Sequence, residues 1–322
     1  TGYVSYPKKD KNGFWYQLVT EGITGVEKIF DNELNGDNGL MITEINAVGE
    51  QVSGMTTLEA RAGESLSLSL DAGVQEALYS ALKTRADESG WRGASGVLLN
   101  VENGEVIALA SYPSFNPEAL SSGQPEEEVR EALQNTRTPF LNRASQGVYA
   151  PGSVMKPFIA LAALEEKIIS PTKKLYAGTS ISVQNPYDKE KETVFRDWRL
   201  QGHVDMRLAL AYSSDIYFYT IGGGVTGDTA RQVELYEQEG LGIARIDSYL
   251  SRFGFGVPTG IQLSGEEYGI IPTPEWKAAN FDGEAWYLGN TYHASIGQYG
   301  FQVTALQLAR ATAALAMVCQ SS

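Results

Sequence analysis

The chain has 322 residues, 43% of them hydrophobic and 20% charged, enough for one large or two ordinary domains with a substantial core. Its formal net charge of −14 argues against nucleic acid as a partner and against docking on an anionic membrane. A single cysteine, Cys319, excludes an intrachain disulfide and any multi-cysteine metal site, and no apolar run of roughly 18 residues is present to span a bilayer.

Residues 1–64 are rich in Gly, Asn and Asp, with short alternating stretches such as Met41-Ile42-Thr43-Glu44-Ile45, the pattern of a small strand-rich module. Residues 65–70 alternate Ser and Leu with period two and predict a strand. Asp71 is placed to cap a helix running through Thr84, with Val74, Leu78 and Leu82 on one side. The apolar runs 96–101 and 106–110 flank Asn103-Gly104, a strong hairpin signal. Residues 126–133 read as an acidic, exposed helix.

The stretch Tyr149-Ala150-Pro151-Gly152-Ser153-Val154-Met155-Lys156-Pro157 comes next, followed at once by the apolar run 158–164. Pro151 and Gly152 mark a turn, and the run behind them predicts a buried helix through about Lys167. Ser153 then falls at or beside the helix start, where unpaired N–H groups and the positive end of the dipole favour a developing oxyanion. Ser153 and Lys156 are three residues apart and share a helix face. A neutral lysine there could take the serine proton, which a serine needs because its free hydroxyl is a weak nucleophile. Taken alone, Ser-x-x-Lys is more often a capping serine and a solvated lysine.

Residues 177–198 are polar, carry both charges without clear periodicity, and predict a loop. Ser213-Ser214-Asp215 lies between the apolar runs 206–212 and 216–219, where by itself it reads as a helix cap. Residues 229–239 and 246–253 predict amphipathic helices, and 304–317 a core helix. Gly254 and Gly256 are not spaced as a phosphate loop, so no nucleotide is implied.

The Tyr149 to Lys156 stretch resembles the active-serine segment of penicillin-binding proteins, the D,D-transpeptidases that cross-link peptidoglycan, with Ala150 where relatives commonly carry proline. Asn142-Arg143-Ala144 and the stretches 111–117, 253–266, 295–300 and 304–309 are similar to further parts of that family, so the resemblance covers nearly the whole chain. Residues 25–36 resemble the pedestal domain of class B members. Ser213-Ser214-Asp215 resembles the second motif of the family. Its aspartate, together with Phe195-Arg196-Asp197-Trp198 and Gly202-His203, points to the elongation type.

The resemblance implies an α+β fold of the penicillin-binding transpeptidase (serine β-lactamase-like) kind, with helices packed on an antiparallel sheet. Residues 1–64 would be the C-terminal part of a pedestal (dimerisation-type) domain and 65–322 the transpeptidase domain. It implies that Ser153 attacks the penultimate D-Ala carbonyl of a stem pentapeptide with Lys156 as base. Ser213 would relay a proton to the leaving nitrogen, Asp215 would hold Lys156 and a substrate amide, and an amine of a neighbouring stem would resolve the acyl-enzyme. β-Lactams would acylate Ser153 by the same route. Asp215 beside Lys156 favours the charged lysine, and burial opposes it. Trp198 either lines the substrate groove or lies in the core.

In some relatives an Asp, Asp, His and Cys bind zinc in this neighbourhood. Asp188, Asp197 and His203 could supply three ligands here, but Ser214 stands where the cysteine would fall, and serine is a poor zinc ligand. The expectation is therefore no metal and no organic cofactor, with Asp197 and His203 hydrogen-bonded. No Lys-Thr-Gly, the third family motif, follows Gln298 in this sequence. The resemblance thus suggests a domain truncated at its C-terminal end and an N-terminal anchor removed before Thr1. It further implies work at the extracytoplasmic face of the bacterial membrane, with a membrane glycosyltransferase of the elongation complex as partner. The rivals are a non-catalytic cell-wall interaction module or inactive fragment, and a serine β-lactamase. For the last, Glu165 and Glu166 sit three turns along the helix, too far to deacylate.

Overall fold

The computed structural model of the chain describes residues 2–9, 11, 15–188 and 190–320. Its contacts divide it into two compact units, one running up to Gln146 and including Gly260–Glu266, the other made of Gly147–Thr259 and the chain from Glu267 onward. Within the first unit the start of the chain is tied to later parts. The Val4 N–H donates to Ser121 Oγ at 3.1 Å, and the Tyr3 ring stands edge-on to Phe115 at 5.6 Å.

In the first unit, β1 (Leu40–Ile45) and β2 (Gln51–Leu58) form an antiparallel hairpin. Met41, Ile42, Val52 and Met55 are all exposed, so the alternation marks the strand without burying a face. Residues 65–70, expected as a strand, join no ladder among the described residues; Leu66 and Leu68 are exposed, and Ser69 Oγ donates to the Val106 carbonyl at 2.8 Å. Alternation becomes a strand only where a neighbour takes up the backbone groups. Asp71 caps α1 (Ala72–Ser89) by accepting from the Val74 N–H at 2.9 Å, and the helix runs past Thr84 to a left-handed Gly90. The helix lies on the antiparallel pair β3 (Ala94–Leu99) and β4 (Val106–Tyr112), the expected helix-on-sheet arrangement. The Gln75 amide locks it there, donating to the Leu109 carbonyl at 2.9 Å and accepting from the Leu109 N–H at 2.8 Å. The acidic α2 (Glu126–Gln134) is largely exposed, as its composition predicts.

In the second unit, one 3-10 turn, Gly152–Met155, leads into α3 (Lys156–Glu165), which buries Phe158, Ile159, Ala162 and Ala163. Residues 177–198 are not a loop. After β5 (Leu175–Ala177), β6 (Ser180–Gln184) pairs antiparallel with β7 (Glu192–Arg196), and the buried Ile181 and Phe195 face each other in register. Two such residues in a charged stretch are too short a period to read in one dimension. β8 (Gly202–Val204) then pairs with β5.

Asp205 caps α4 (Met206–Ala211), and Ser214 caps α5 (Asp215–Gly223), whose residues Ile216 to Gly222 are all buried. The apolar surface removed from water along α5 makes it the centre of this unit. Residues 229–239 form only the short α6 (Gly227–Gln232) and turns, because the chain folds back to bridge Val225 and Gln238. Around α5 pack α3, α7 (Gly242–Arg252) and, beyond α8 (Pro274–Asn280), α9 (Leu288–Ser295). Gly222 sets the α5–α9 distance: a Cβ there would come within 2.3 Å of that of Ser295. The last helix is α10 (Ala305–Gln320), and no helix among the described residues is long and apolar enough to cross a membrane.

Candidate active site

Ser153 is exposed on the 3-10 turn, and the Lys156 N–H donates to its carbonyl. The turn is held from behind. The Gly152 N–H donates to the Gly297 carbonyl at 2.9 Å, and Tyr149 and Val303 exchange backbone hydrogen bonds at 3.0 and 2.9 Å. Gly297 has φ +72°, and a Cβ there would meet the Gly152 carbonyl oxygen at 2.3 Å, so the backbones can approach only at a glycine.

Lys156, one residue past the turn, points its side chain inward, where only 2% of it is exposed. Its Nζ donates to the Ser213 carbonyl at 2.8 Å, to Ser213 Oγ at 3.2 Å and to Asp215 Oδ1 at 2.6 Å. All three ammonium donors are thereby used, which lets a lysine lie in the interior. The Phe218 ring lies 5.4 Å below the Nζ. Ser213 sits at φ +55°, a left-handed conformation that turns both its carbonyl and its hydroxyl toward the lysine. Burial pushes the Asp215 carboxyl above the usual carboxylate range, against the pull of the Lys156 ammonium; the Asp197 charge adds to the rise and His293 opposes it.

Asp197 is the carboxylate behind this turn, and it is buried. Its Oδ2 accepts from Ser214 Oγ at 3.0 Å and from the Ile216 N–H at 3.1 Å. Its Oδ1 accepts from the Trp198 N–H at 2.8 Å and from Gln201 Nε2 at 3.1 Å. Trp198 is not core: its side chain is exposed, its Nε1 donates to the Tyr212 carbonyl at 3.1 Å, and Arg199 stacks over it at 4.4 Å.

The three zinc candidates are not brought together. Asp188, at the tip of the β6–β7 hairpin, pairs with Lys191 at 2.8 Å; Asp197 is filled by the four donors above; His203 Nε2 lies 2.7 Å from Glu234 Oε2 at the surface. Among the described residues no cluster of three or more His, Cys, Asp or Glu could hold a metal ion. Each candidate side chain is taken up by partners of its own, local for Asp188 and from later in the chain for Asp197 and His203.

One participant carries no sequence signal. His293 of α9 is half-buried, its ring 5.3 Å from that of Phe195. Burial pushes its pKa down, and the Asp215 charge opposes this. His293 also borders a cleft of 1290 Å³ with Thr193, Lys277, Tyr287 and Tyr299, which none of Ser153, Lys156, Ser213 and Asp215 lines. A lone histidine in an amphipathic helix looks the same in sequence whether it faces a carboxylate or water.

The fold and this lysine-centred cluster can be set beside known proteins. A family described as "Penicillin binding protein transpeptidase domain" matches residues 94–318. The chain belongs to the penicillin-binding protein transpeptidase family. Among its curated relatives are the peptidoglycan D,D-transpeptidases MrdA of Acinetobacter baumannii, 36% identical over 91% of this chain and 39% of that one, and of Haemophilus influenzae, 32% identical over 91% and 41%. The chain therefore spans about two-fifths of the length of these relatives. The penicillin-binding protein PBP2 of Pseudomonas aeruginosa, solved in complex with WCK 5153, matches 98% of this chain and 61% of its own with TM-score 0.71 at 30% identity. The Helicobacter pylori PBP2, solved in complex with MreC, matches 98% and 55% with TM-score 0.74 at 28% identity.

Proposed function

We propose that the protein is a serine-type peptidoglycan D,D-transpeptidase of the elongation type, and that Ser153, Lys156, Ser213 and Asp215 carry its chemistry. The observation that supports this most is the Lys156 ammonium, held by the Ser213 carbonyl and hydroxyl and by Asp215 one helical turn from an exposed serine.

In this reading Ser153 Oγ attacks the penultimate D-Ala carbonyl of a stem pentapeptide. Lys156, made neutral by passing one ammonium proton to Asp215 Oδ1 at 2.6 Å, takes the hydroxyl proton. The Ser153 N–H at the helix start donates to the oxyanion. The proton passes from Lys156 through Ser213 Oγ, at 3.2 Å, to the departing D-Ala nitrogen. The amine of a second stem then attacks the ester, gives its proton back along the same path and frees Ser153. A β-lactam follows the first half of this route and stops at the acyl-enzyme. In this reading Trp198 borders the substrate groove, to which its exposure lends support.

Residues 1–64 are assigned to a pedestal and 65–322 to the transpeptidase domain, the segment that contains the family match. The protein would act at the extracytoplasmic face of the membrane with cell-wall machinery, a reading supported by relatives solved with MreC and in a peptidoglycan synthase complex.

The test is intact mass after incubation with benzylpenicillin, on the 322-residue chain and on a version extended past Ser322. A single adduct on Ser153, absent from Ser153→Ala, is expected. An adduct on the longer version alone would locate part of the oxyanion site beyond these residues. No adduct on either would overturn the enzymatic reading.

A further inference from the structure

The Asp197 carboxylate is buried with no cation among its bonded partners: its four hydrogen bonds come from Ser214 Oγ, the Ile216 and Trp198 N–H groups and Gln201 Nε2. Leaving a charged group buried on neutral donors alone is costly unless every lone pair is used, and here each oxygen takes two. Those donors are not scattered. Ser214 and Ile216 flank Asp215 directly, and Ser214 follows Ser213, so Oδ2 holds the Ser214 hydroxyl and the Ile216 N–H on either side of Asp215, between and beyond the two residues that hold Lys156. Oδ1 binds the strand exit, Trp198 and Gln201, so the carboxylate joins the end of β7 to the start of α5. Ser213 sits at φ +55°, a conformation a serine keeps only where its surroundings impose it.

We propose that Asp197 is a positioning residue: its carboxylate holds the 213–215 turn in the one conformation that presents the Ser213 hydroxyl and Asp215 to Lys156. It touches neither substrate nor Ser153, and it acts through the turn. The inference rests on the functional reading above and adds to it a residue that sets the rate of acylation without setting substrate affinity. Asparagine is the discriminating replacement. It has the same shape, but its single carbonyl oxygen can face only one pair of donors, and its NH₂ then meets a backbone N–H on the other side. Ser214→Ala removes one of the four bonds and leaves the Ile216 N–H in place.

The experiment uses the full-length protein that contains this chain and a fluorescent penicillin, separating the noncovalent dissociation constant from the first-order acylation rate by stopped flow, with the titrated fraction of active sites. Asp197→Asn is expected to lower the acylation rate about 10- to 100-fold, the scale of a lost charge-assisted hydrogen bond, with an unchanged dissociation constant and full active-site titration. Ser214→Ala is expected to fall between wild type and Asp197→Asn, and Asp197→Ala at or below the latter. A normal rate in a reduced fraction of active molecules would mean that Asp197 only maintains the fold, and would overturn the proposal. So would a wild-type rate in Asp197→Asn. A wild-type protein that is never acylated would instead overturn the transpeptidase reading, and this inference with it.

Discussion

Lys156 is held in the interior because each of its three protons meets an oxygen, and this constrains what can replace it. Lys156→Ala is expected to slow acylation by about 10²–10⁴, the range for losing a positioned general base, as measured by the rate of fluorescent penicillin labelling. Lys156→Arg would not restore it. The guanidinium stays protonated and its planar fork does not fit one Nζ position. The group across the aromatic layer gives a pH prediction. Burial lowers the folded-state pKa of His293 from its ordinary 6.5, so the unfolded chain binds its proton more readily than the folded one. The contribution of this residue to stability is therefore present above pH 6.5 and lost as pH falls through the lowered folded value. Thermal unfolding midpoints taken from neutral to about pH 5 should fall more steeply for wild type than for His293→Gln. Equal slopes would show that the ring is not withdrawn from water in solution.

The decisive element is α5, buried along its length and pressed against α9 through Gly222. Gly222→Val would drive new methyl groups into the Ser295 side chain and is expected to destabilise the protein by about 1–3 kcal/mol, read from the denaturant midpoint at unchanged slope. Combining it with Ser295→Gly should recover part of the loss, whereas strict additivity would mean that the two positions do not meet. The helix caps belong to the same scale. Asp71 and Ser214 each accept an N–H that would otherwise lack a partner at a helix start, and Asp71→Ala should cost about 1 kcal/mol. Their positions were legible because a cap lies next to the helix it serves. The hairpin of β6 and β7 was not, since its buried residues, Ile181 and Phe195, meet across a charged tip that reads as loop.

For the molecule as a whole, the family assignment leaves a choice between a transpeptidase, which keeps a penicillin, and a β-lactamase, which hydrolyses it. The second needs a carboxylate facing the ester. Glu166, one of the two acidic residues at the end of α3, is engaged elsewhere: it accepts from Tyr249 Oη at 2.8 Å and lies 3.6 Å from Arg245. The adduct on Ser153 should therefore persist, with release far slower than formation when excess label is removed. Rapid turnover would reverse the assignment.

The sequence by itself determined the family, the turn that carries Ser153, the helix caps at Asp71 and Ser214 and the β3–β4 hairpin, because each is written within a few consecutive residues. The resemblance implied that Ser213 and Asp215 meet Lys156; only the tertiary structure decided the atoms by which they do, that Trp198 faces outward, and that Asp188, Asp197 and His203 hold separate partners. Such contacts join positions 57 and 59 residues apart, as for Lys156 with Ser213 and Asp215. At that separation, local propensity carries no information about which side chain will be nearest. The packing of α3 against α5 settles the lysine, and where the chain returns settles the rest.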